Sequence, residues 1–341
     1  MFNDKKNCTD TNICIEEILL NCVASAAVAC QPWVGKDDSN KADLAAVNAI
    51  KQILTSSNAH FEIKTGEGER DKAPMLYSGE HFGKKLSHCN TSAGFANSAI
   101  GIAVDPLENT NACKNNLSDS LSVICANNAN KMISAPDVYM NKLATAKHIP
   151  DGLLSITNKI EDNILNLASF LNKLPQDVSV CVLERDKNRS TIEGVKRCGA
   201  KLILIQDGDV LAILKTHPLF GSIDLYAGIG GAPEGMLVSG FIQLTGGFFE
   251  GQFLASTEEQ LLRMKQKNLN TKTTYVAKEL IGEDPFFCIS FVTDSVKPKP
   301  RLIKHGDKLV YEVHVFKAQP SMQDKKSEPQ LSFKKVIVDI T

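Results

Sequence analysis

Apolar positions along the chain change their period several times, and each change predicts an element. Residues 13–30 and 40–56 carry them three and four apart. In the second run Ala42, Ala45, Ala46, Ala49, Ile50 and Ile53 share one face, so two amphipathic helices are predicted, with Asp43 near the N-terminus of the second. Residues 61–65 alternate as a half-buried strand, whereas residues 99–104 form an unbroken apolar run, the pattern of a buried strand. Pro106 lacks a ladder donor and biases Asp105 toward extended backbone, which predicts that this strand stops there and delivers Asp105 and Glu108 onto a turn. Residues 117–126 alternate weakly and are placed beside it.

From about residue 151 the texture changes to helices alternating with short apolar strands. Helices are predicted over 158–171 and 191–198, and buried strands over 178–183 and 201–205. A third strand, 223–227, enters the glycine-rich turn 228–235, and an apolar helix follows over 236–244. This βαβ rhythm implies parallel pairing, with ligands bound beyond the carboxyl ends of the strands. After residue 290 the chain turns polar and Pro-containing, as a loop-rich tail would. The pattern predicts an α/β protein in two parts: an α+β domain over 1–150 that carries most of the acidic candidates, and an α/β domain over 151–341.

Composition narrows the partners. With 341 residues and 43% hydrophobic content the chain can bury a sizeable core without staples. Lys plus Arg (38) and Asp plus Glu (39) nearly cancel, so no overall field favours nucleic acid or an anionic membrane; a small molecule or another subunit is the expected partner. The ten cysteines contain no CxxC pair and no zinc-ribbon spacing, and read as reduced thiols of a cytoplasmic protein. The apolar stretch 19–30 has Glu16 and Glu17 where a signal peptide carries cations, and it is too short to span a bilayer, so it reads as a buried helix.

Candidate chemistry lies at the strand ends. Asp105 and Glu108 stand three apart with Thr110 close by, a set that can share one hard cation or form an ordinary solvated strand exit. After the strand 61–65, Glu67, Glu69 and Asp71 surround two glycines that let carboxylates converge. Arg185 and Lys187 follow the strand 178–183 and could hold a phosphate, while Asp207 and Asp209 follow the next strand and could accept from sugar hydroxyls. The turn 228–235 ends in Glu234 and enters a helix, which is an anion-binding arrangement; it is not a Walker A loop, since no Gly-Lys-Ser/Thr follows.

Five motifs in order, Gly66-Glu-Gly-Glu69 with Ala73-Pro-Met-Leu-Tyr77, the Asp105-Pro-Leu-Glu stretch, Ala135-Pro-Asp-Val-Tyr-Met140, Gln206-Asp-Gly-Asp-Val210 and Gly228-Ile-Gly-Gly-Ala-Pro-Glu-Gly235, resemble the GlpX-type class II fructose-1,6-bisphosphatases. The resemblance runs from about residue 35 to 255 and implies the layered α/β/α/β/α sandwich of metal-dependent sugar phosphatases. It implies metal ligation by Asp43, Glu67, Asp105, Glu108 and Glu234, with Mg²⁺ or Mn²⁺ as the ion. Asp71 and Thr110 fall on the positions that handle the attacking water. Glu108, Asn109, Thr110, Tyr139, Arg185, Lys187, Asp207, Asp209 and Gly231 fall on those that bind a sugar bisphosphate. The implied activity is hydrolysis of the 1-phosphate of fructose 1,6-bisphosphate in gluconeogenesis, by a homo-oligomer. Sedoheptulose 1,7-bisphosphatase activity and an impaired, binding-only relative are the alternatives. This chain departs from the family pattern at Ser39, at Asn109 where the family has glycine, at Asn111 in an arginine-like position, and in the order of Arg185 and Lys187. Asn tolerates the left-handed region, so Asn109 is expected to keep the turn by adopting positive φ.

Overall fold

The computed structural model describes residues 15–66, 76–84, 99–319 and 330–339. In chain order the first elements are α1 (Ile15–Ala29), α2 (Ser39–Ser56), β1 (His60–Thr65), β2 (His81–Gly83), β3 (Ile100–Glu108), α3 (Thr110–Lys114) and β4 (Leu121–Asn128). Next come β5 (Tyr139–Thr145), α4 (Ile160–Phe170), β6 (Ser179–Leu183), α5 (Arg189–Arg197), β7 (Lys201–Ile205), α6 (Asp209–Leu214), β8 (Leu225–Gly231), α7 (Ala232–Thr245) and β9 (Phe248–Leu254). The chain closes with α8 (Glu258–Gln266), β10 (Tyr275–Val276), α9 (Ala277–Ile281), β11 (Phe286–Phe291), β12 (Arg301–His305), β13 (Lys308–Gln319) and β14 (Gln330–Asp339).

Among the described residues the strands form two sheets. The first runs β12-β13-β11-β4-β3-β1-β2 with β14 paired to β13, and the second runs β10-β9-β5-β8-β6-β7. Helices α1 and α2 pack on the outer face of the first sheet, burying Leu19, Leu20, Val23, Val47 and Ile50 against Phe61, Ile63, Ile102 and Ile124. Helices α4 and α5 cover the outer face of the second, over Val178, Val180, Val182 and Leu225. Between the sheets lies α7, whose Met236, Leu237, Val238, Phe241 and Ile242 are all buried. A helix that is apolar all round fits only such a middle layer. The result is the α/β/α/β/α order that the family resemblance implies, and it explains why β3 reads as an unbroken apolar run and β4 alternates only weakly, since both of their faces are covered.

Several expectations change. The strand 99–104 does not stop at Pro106: β3 continues to Glu108, so Asp105 and Glu108 are strand residues, not turn residues. Pro106 is tolerated because β1 last pairs at Ala103, and the register with β4 is irregular between Asp105 and Glu108, so no ladder bond is lost there. Residues 228–231 likewise belong to β8, not to a loop, and α7 begins at Ala232 with Pro233 in its first turn. β7, expected to be buried, is the exposed edge of the second sheet. The expected loop-rich tail instead supplies β12, β13 and β14 to the first sheet, the segment 320–329 lying outside the described residues. The βαβ expectation holds for β6, β7 and β8, which pair in parallel; β5, β9 and β10 join them antiparallel.

Candidate active site

The candidate site lies where the end of β3 meets the turn before α6. β3 of the first sheet delivers Asp105 and Glu108, 2% and 5% exposed, toward the turn between β7 and α6 of the second. Glu108 Oε1 accepts from the Val210 N–H at 3.0 Å, so a carboxylate from one sheet caps a helix N-terminus of the other. Its neighbour Asn109 adopts φ 59° and ψ 60°, as expected from its family position. The Asn109 side chain accepts from Ala112 N–H at 3.2 Å and donates to Asp119 O at 3.3 Å, so it also caps α3, which begins at Thr110. Asn111 Nδ2 donates to Asp207 Oδ2 at 3.3 Å, a second tie between α3 and the turn after β7.

Glu234 stands in the first turn of α7 and curls back over Gly231; a Cβ on Gly231 would lie 2.0 Å from Glu234 Oε2. The preceding glycine serves another close approach. A Cβ on Gly230 would meet Asp209 Oδ2 at 2.3 Å and Lys142 Nζ at 2.9 Å, so β8 can pass over this ion pair only as glycine. Lys142, 1% exposed, reaches from β5 to Asp209 Oδ2 at 2.5 Å and to Gly231 O at 2.9 Å, and Tyr226 Oη donates to the same Asp209 oxygen at 3.1 Å. Asp209 therefore faces inward, onto Lys142 and Tyr226. Neither Lys142 nor Tyr226 was singled out in the sequence, where each is one polar residue in an ordinary strand.

Electrostatically the site is overloaded with acid. Burial holds the Glu108 carboxyl well above its ordinary range, and the charges of Asp209, Glu234 and Asp207 add to this. Burial, then Asp209, push Glu234 up to about 7, with Lys142 opposing. Burial alone pushes Asp43, on α2, up to about 6. One oxygen of Asp43 and one of Glu234 are buried with no hydrogen-bond partner. Buried carboxylates with an open lone pair are sites for a cation or a proton.

Cationic candidates flank this centre. Lys187 Nζ lies over the Tyr139 ring, 3.2 Å from its centroid, and donates to Ser256 Oγ at 3.2 Å. Arg185 donates to the Glu184 and Gln206 carbonyls, which holds it beside the turn that carries Asp207. Between β6 and β8, which pair only near Val180 and Cys181, Asn188 fills the opening: its Nδ2 donates to Leu183 O and Ile229 O, and its Oδ1 accepts from Ile229 N–H. Splaying at a strand junction is where open α/β sheets form binding crevices.

The structure thus brings Glu108, Asn109, Asp207, Asp209, Gly231 and Glu234 together, with Asp105 within hydrogen-bonding reach of Glu108. It pairs Tyr139 with Lys187 to one side. Asp43 stands on α2 beside Cys30, and its charge is not among those that shift Glu108 or Glu234. Glu67 and Asp71 lie outside the described residues. Among the described residues no three acidic, histidine or cysteine side chains alone form a metal cage. The donor set is nevertheless all oxygen, and the open oxygens of Asp43 and Glu234 suit a hard divalent ion.

A buried acidic centre at a sheet junction, with cations at the neighbouring strand ends, is the constellation of a metal-using phosphate-ester hydrolase. The family described as "Bacterial fructose-1,6-bisphosphatase, glpX-encoded" matches residues 13–301, and the chain belongs to that family of phosphoric monoester hydrolases. It is similar to the D-fructose 1,6-bisphosphatase class 2/sedoheptulose 1,7-bisphosphatase of Thermosynechococcus vestitus, at 34% identity over 84% of this chain and 88% of the relative. A protein of the same description from Prochlorococcus marinus is 34% identical over 83% of this chain and 86% of the relative. The fructose-1,6-bisphosphatase class 2 of Haemophilus influenzae is 35% identical over 69% and 67% respectively.

Proposed function

We propose that this chain hydrolyses the 1-phosphate of fructose 1,6-bisphosphate, giving fructose 6-phosphate and phosphate. The observation that carries the reading is the pairing of buried Glu108 and Glu234, both pushed toward protonation, beside an unpartnered carboxylate oxygen of Glu234. Such acids have a use only when a cation or a proton sits among them. Asp105, Glu108 and Glu234 would hold Mn²⁺ or Mg²⁺, joined by Asp43 and Glu67. When bound, the ion supplies charge neutralisation at the phosphate and lowers the pKa of a bound water.

The remaining roles fall to this chain's own groups. Thr110, at the start of α3, and Asp71 orient the attacking water. The positive φ of Asn109 directs the backbone between Glu108 and Thr110 toward the phosphate. Lys187, Arg185 and Tyr139 hold the distal phosphate and the sugar face, Asp207 accepts from sugar hydroxyls, and Asp209 acts through Lys142 by fixing the Gly231 carbonyl. A second reading, sedoheptulose 1,7-bisphosphatase activity, is favoured by the double names of two of the relatives. We further place the chain in the cytoplasm, in gluconeogenesis, as a homo-oligomer. Buried free cysteines such as Cys22, Cys125 and Cys181 suit a reducing compartment, and no helix among the described residues is long and apolar enough to cross a membrane.

Phosphorus NMR of the reaction with fructose 1,6-bisphosphate tests the assignment. Loss of the C1 resonance with retention of the C6 resonance is the expected result. Cleavage at C6, or no cleavage of either sugar bisphosphate with Mn²⁺ present, overturns it.

A further inference from the structure

On the face of the second sheet that α4 and α5 cover lies a cavity of about 550 Å³. Its floor is β5 and β8, with Asn141, Leu143 and Ala227, whereas Lys142 between them sends its side chain to Asp209 on the opposite face. One wall is the start of α4 with Ile156 and Asn158 before it, and the other is the start of α5, with Ser190 and Thr191. The volume is that of a small-molecule site, roughly 300–1,000 Å³.

The polar groups of this cavity divide into spent and unspent. Among the described residues the acid that lines it is Glu161, whose Oε1 accepts from Arg197 Nε at 3.0 Å and Nη2 at 2.6 Å. Both ends of the Asn163 amide are taken by the Ser155 backbone. The side chains of Asn141, Asn158, Lys159, Ser190 and Thr191 make no hydrogen bond or ion pair among the described residues. One cation, two amides and two hydroxyls therefore remain for an occupant, beside the apolar surface of Ile156 and Ile160.

We propose that this cavity is a second ligand site, for a phosphate monoester of a hydroxylated small molecule. Lys159 takes the phosphate, Asn141 and Thr191 take hydroxyls, and Ile156 and Ile160 cover the carbon skeleton. A bare oxyanion would leave the floor and most of the volume unused, and an uncharged polyol would leave Lys159 unmatched. The site draws on none of the residues assigned above to the metal, the water or the sugar bisphosphate.

Calorimetric titration of the full chain in chelator tests this, with glucose 6-phosphate, inorganic phosphate and glucose as probes. Glucose 6-phosphate should bind at least tenfold more tightly than either of the others, and should slow amide hydrogen exchange at Ile160 and Glu161. Lys159→Ala should weaken it about tenfold, as loss of a charge-assisted hydrogen bond does, with unchanged dichroism because Lys159 is exposed. Lys159→Arg should restore most of the affinity, and Lys187→Ala, at the flank of the acidic centre, should leave it unchanged. No binding of glucose 6-phosphate overturns the proposal. So does binding that Lys187→Ala abolishes and Lys159→Ala spares, which puts the probe at the acidic centre, or an affinity that inorganic phosphate or glucose matches. Because no turnover is read, the result stands apart from whether the chain hydrolyses fructose 1,6-bisphosphate.

Discussion

At the scale of single residues, Asn109 shows how a departure from the family pattern is accommodated. Its φ of 59° lies in the left-handed region, and its side chain supplies the N-cap of α3 that glycine would leave to the backbone alone. Asn109→Gly therefore exchanges two effects: relief of strain of about one kcal/mol and loss of a side-chain cap, which costs only about a few tenths of a kcal/mol when glycine is the replacement. We expect stability within about 1 kcal/mol of wild type and phosphatase activity that is retained or raised. Asn109→Ala loses the cap and keeps the strain, so it should melt lower than the glycine variant. Thermal melts of the pair, with turnover on the same preparations, decide the matter. An alanine variant as stable as the glycine one would show that the left-handed turn is not a constraint.

At the scale of elements, Lys142 stitches β5 to the start of α6 and the end of β8 through Asp209 and the Gly231 carbonyl. Removing one partner of a buried pair leaves an uncompensated charge, at a cost of roughly 3–5 kcal/mol. Lys142→Met should destabilise the fold by that order in urea titration, and adding Asp209→Asn should recover much of the loss. A double variant no more stable than Lys142→Met would mean that the lysine acts through Gly231 alone.

The periods of α1, α2, β1, β6 and α5 were legible because each element has a face or a length that dictates it. The continuation of β3 through Pro106 was not, because only the neighbouring strands reveal that no ladder partner faces the proline. The stretch 228–231 reads as a loop, yet these are strand residues, and Gly228, Gly230 and Gly231 are glycine because Asn188, the Asp209–Lys142 pair and Glu234 pack against them in turn. The exposed β7 has the composition of a core strand, and an apolar run carries no sign of what covers it. Of the site, the acids were readable from chain order, whereas Lys142 and Tyr226 acquire meaning only when β5 and β8 converge on Asp209 at the start of α6.

At the scale of the whole molecule, the clustered acids couple the fold to pH and to cations. Burial, then the Asp209 charge, push Glu234 up to about 7, and burial pushes Asp43 up to about 6, from ordinary carboxyl values of 4.5 and 3.8. Between those limits the unfolded chain binds fewer protons than the folded one, so this stability is fully present below the unfolded values and is lost as pH rises through the folded ones. For Glu234 the contribution is of order 3 kcal/mol, from about 1.4 kcal/mol per unit of pKa. The chelated protein should melt progressively lower from about pH 5 to pH 7.5, and saturating Mn²⁺ should restore the melting temperature at the upper end. Glu234→Gln should flatten that pH slope and leave the fold intact. A melting temperature independent of pH, or unchanged by the substitution, would show that these carboxylates do not carry the coupling.

The layered sandwich brings β3 and the turn after β7 to one point, and the account rests on that point being a cation-dependent phosphatase centre. The most direct measurement is phosphate release from fructose 1,6-bisphosphate by chelated protein, titrated with Mn²⁺ and with Mg²⁺, for wild type and for Glu234→Gln side by side. The account predicts no release after chelation, saturable recovery on adding the cation, and at least a hundredfold loss or a much higher cation requirement in the variant, since a carboxylate ligand is replaced by a neutral amide. Full activity in chelator, or a variant with wild-type turnover and cation dependence, would contradict it.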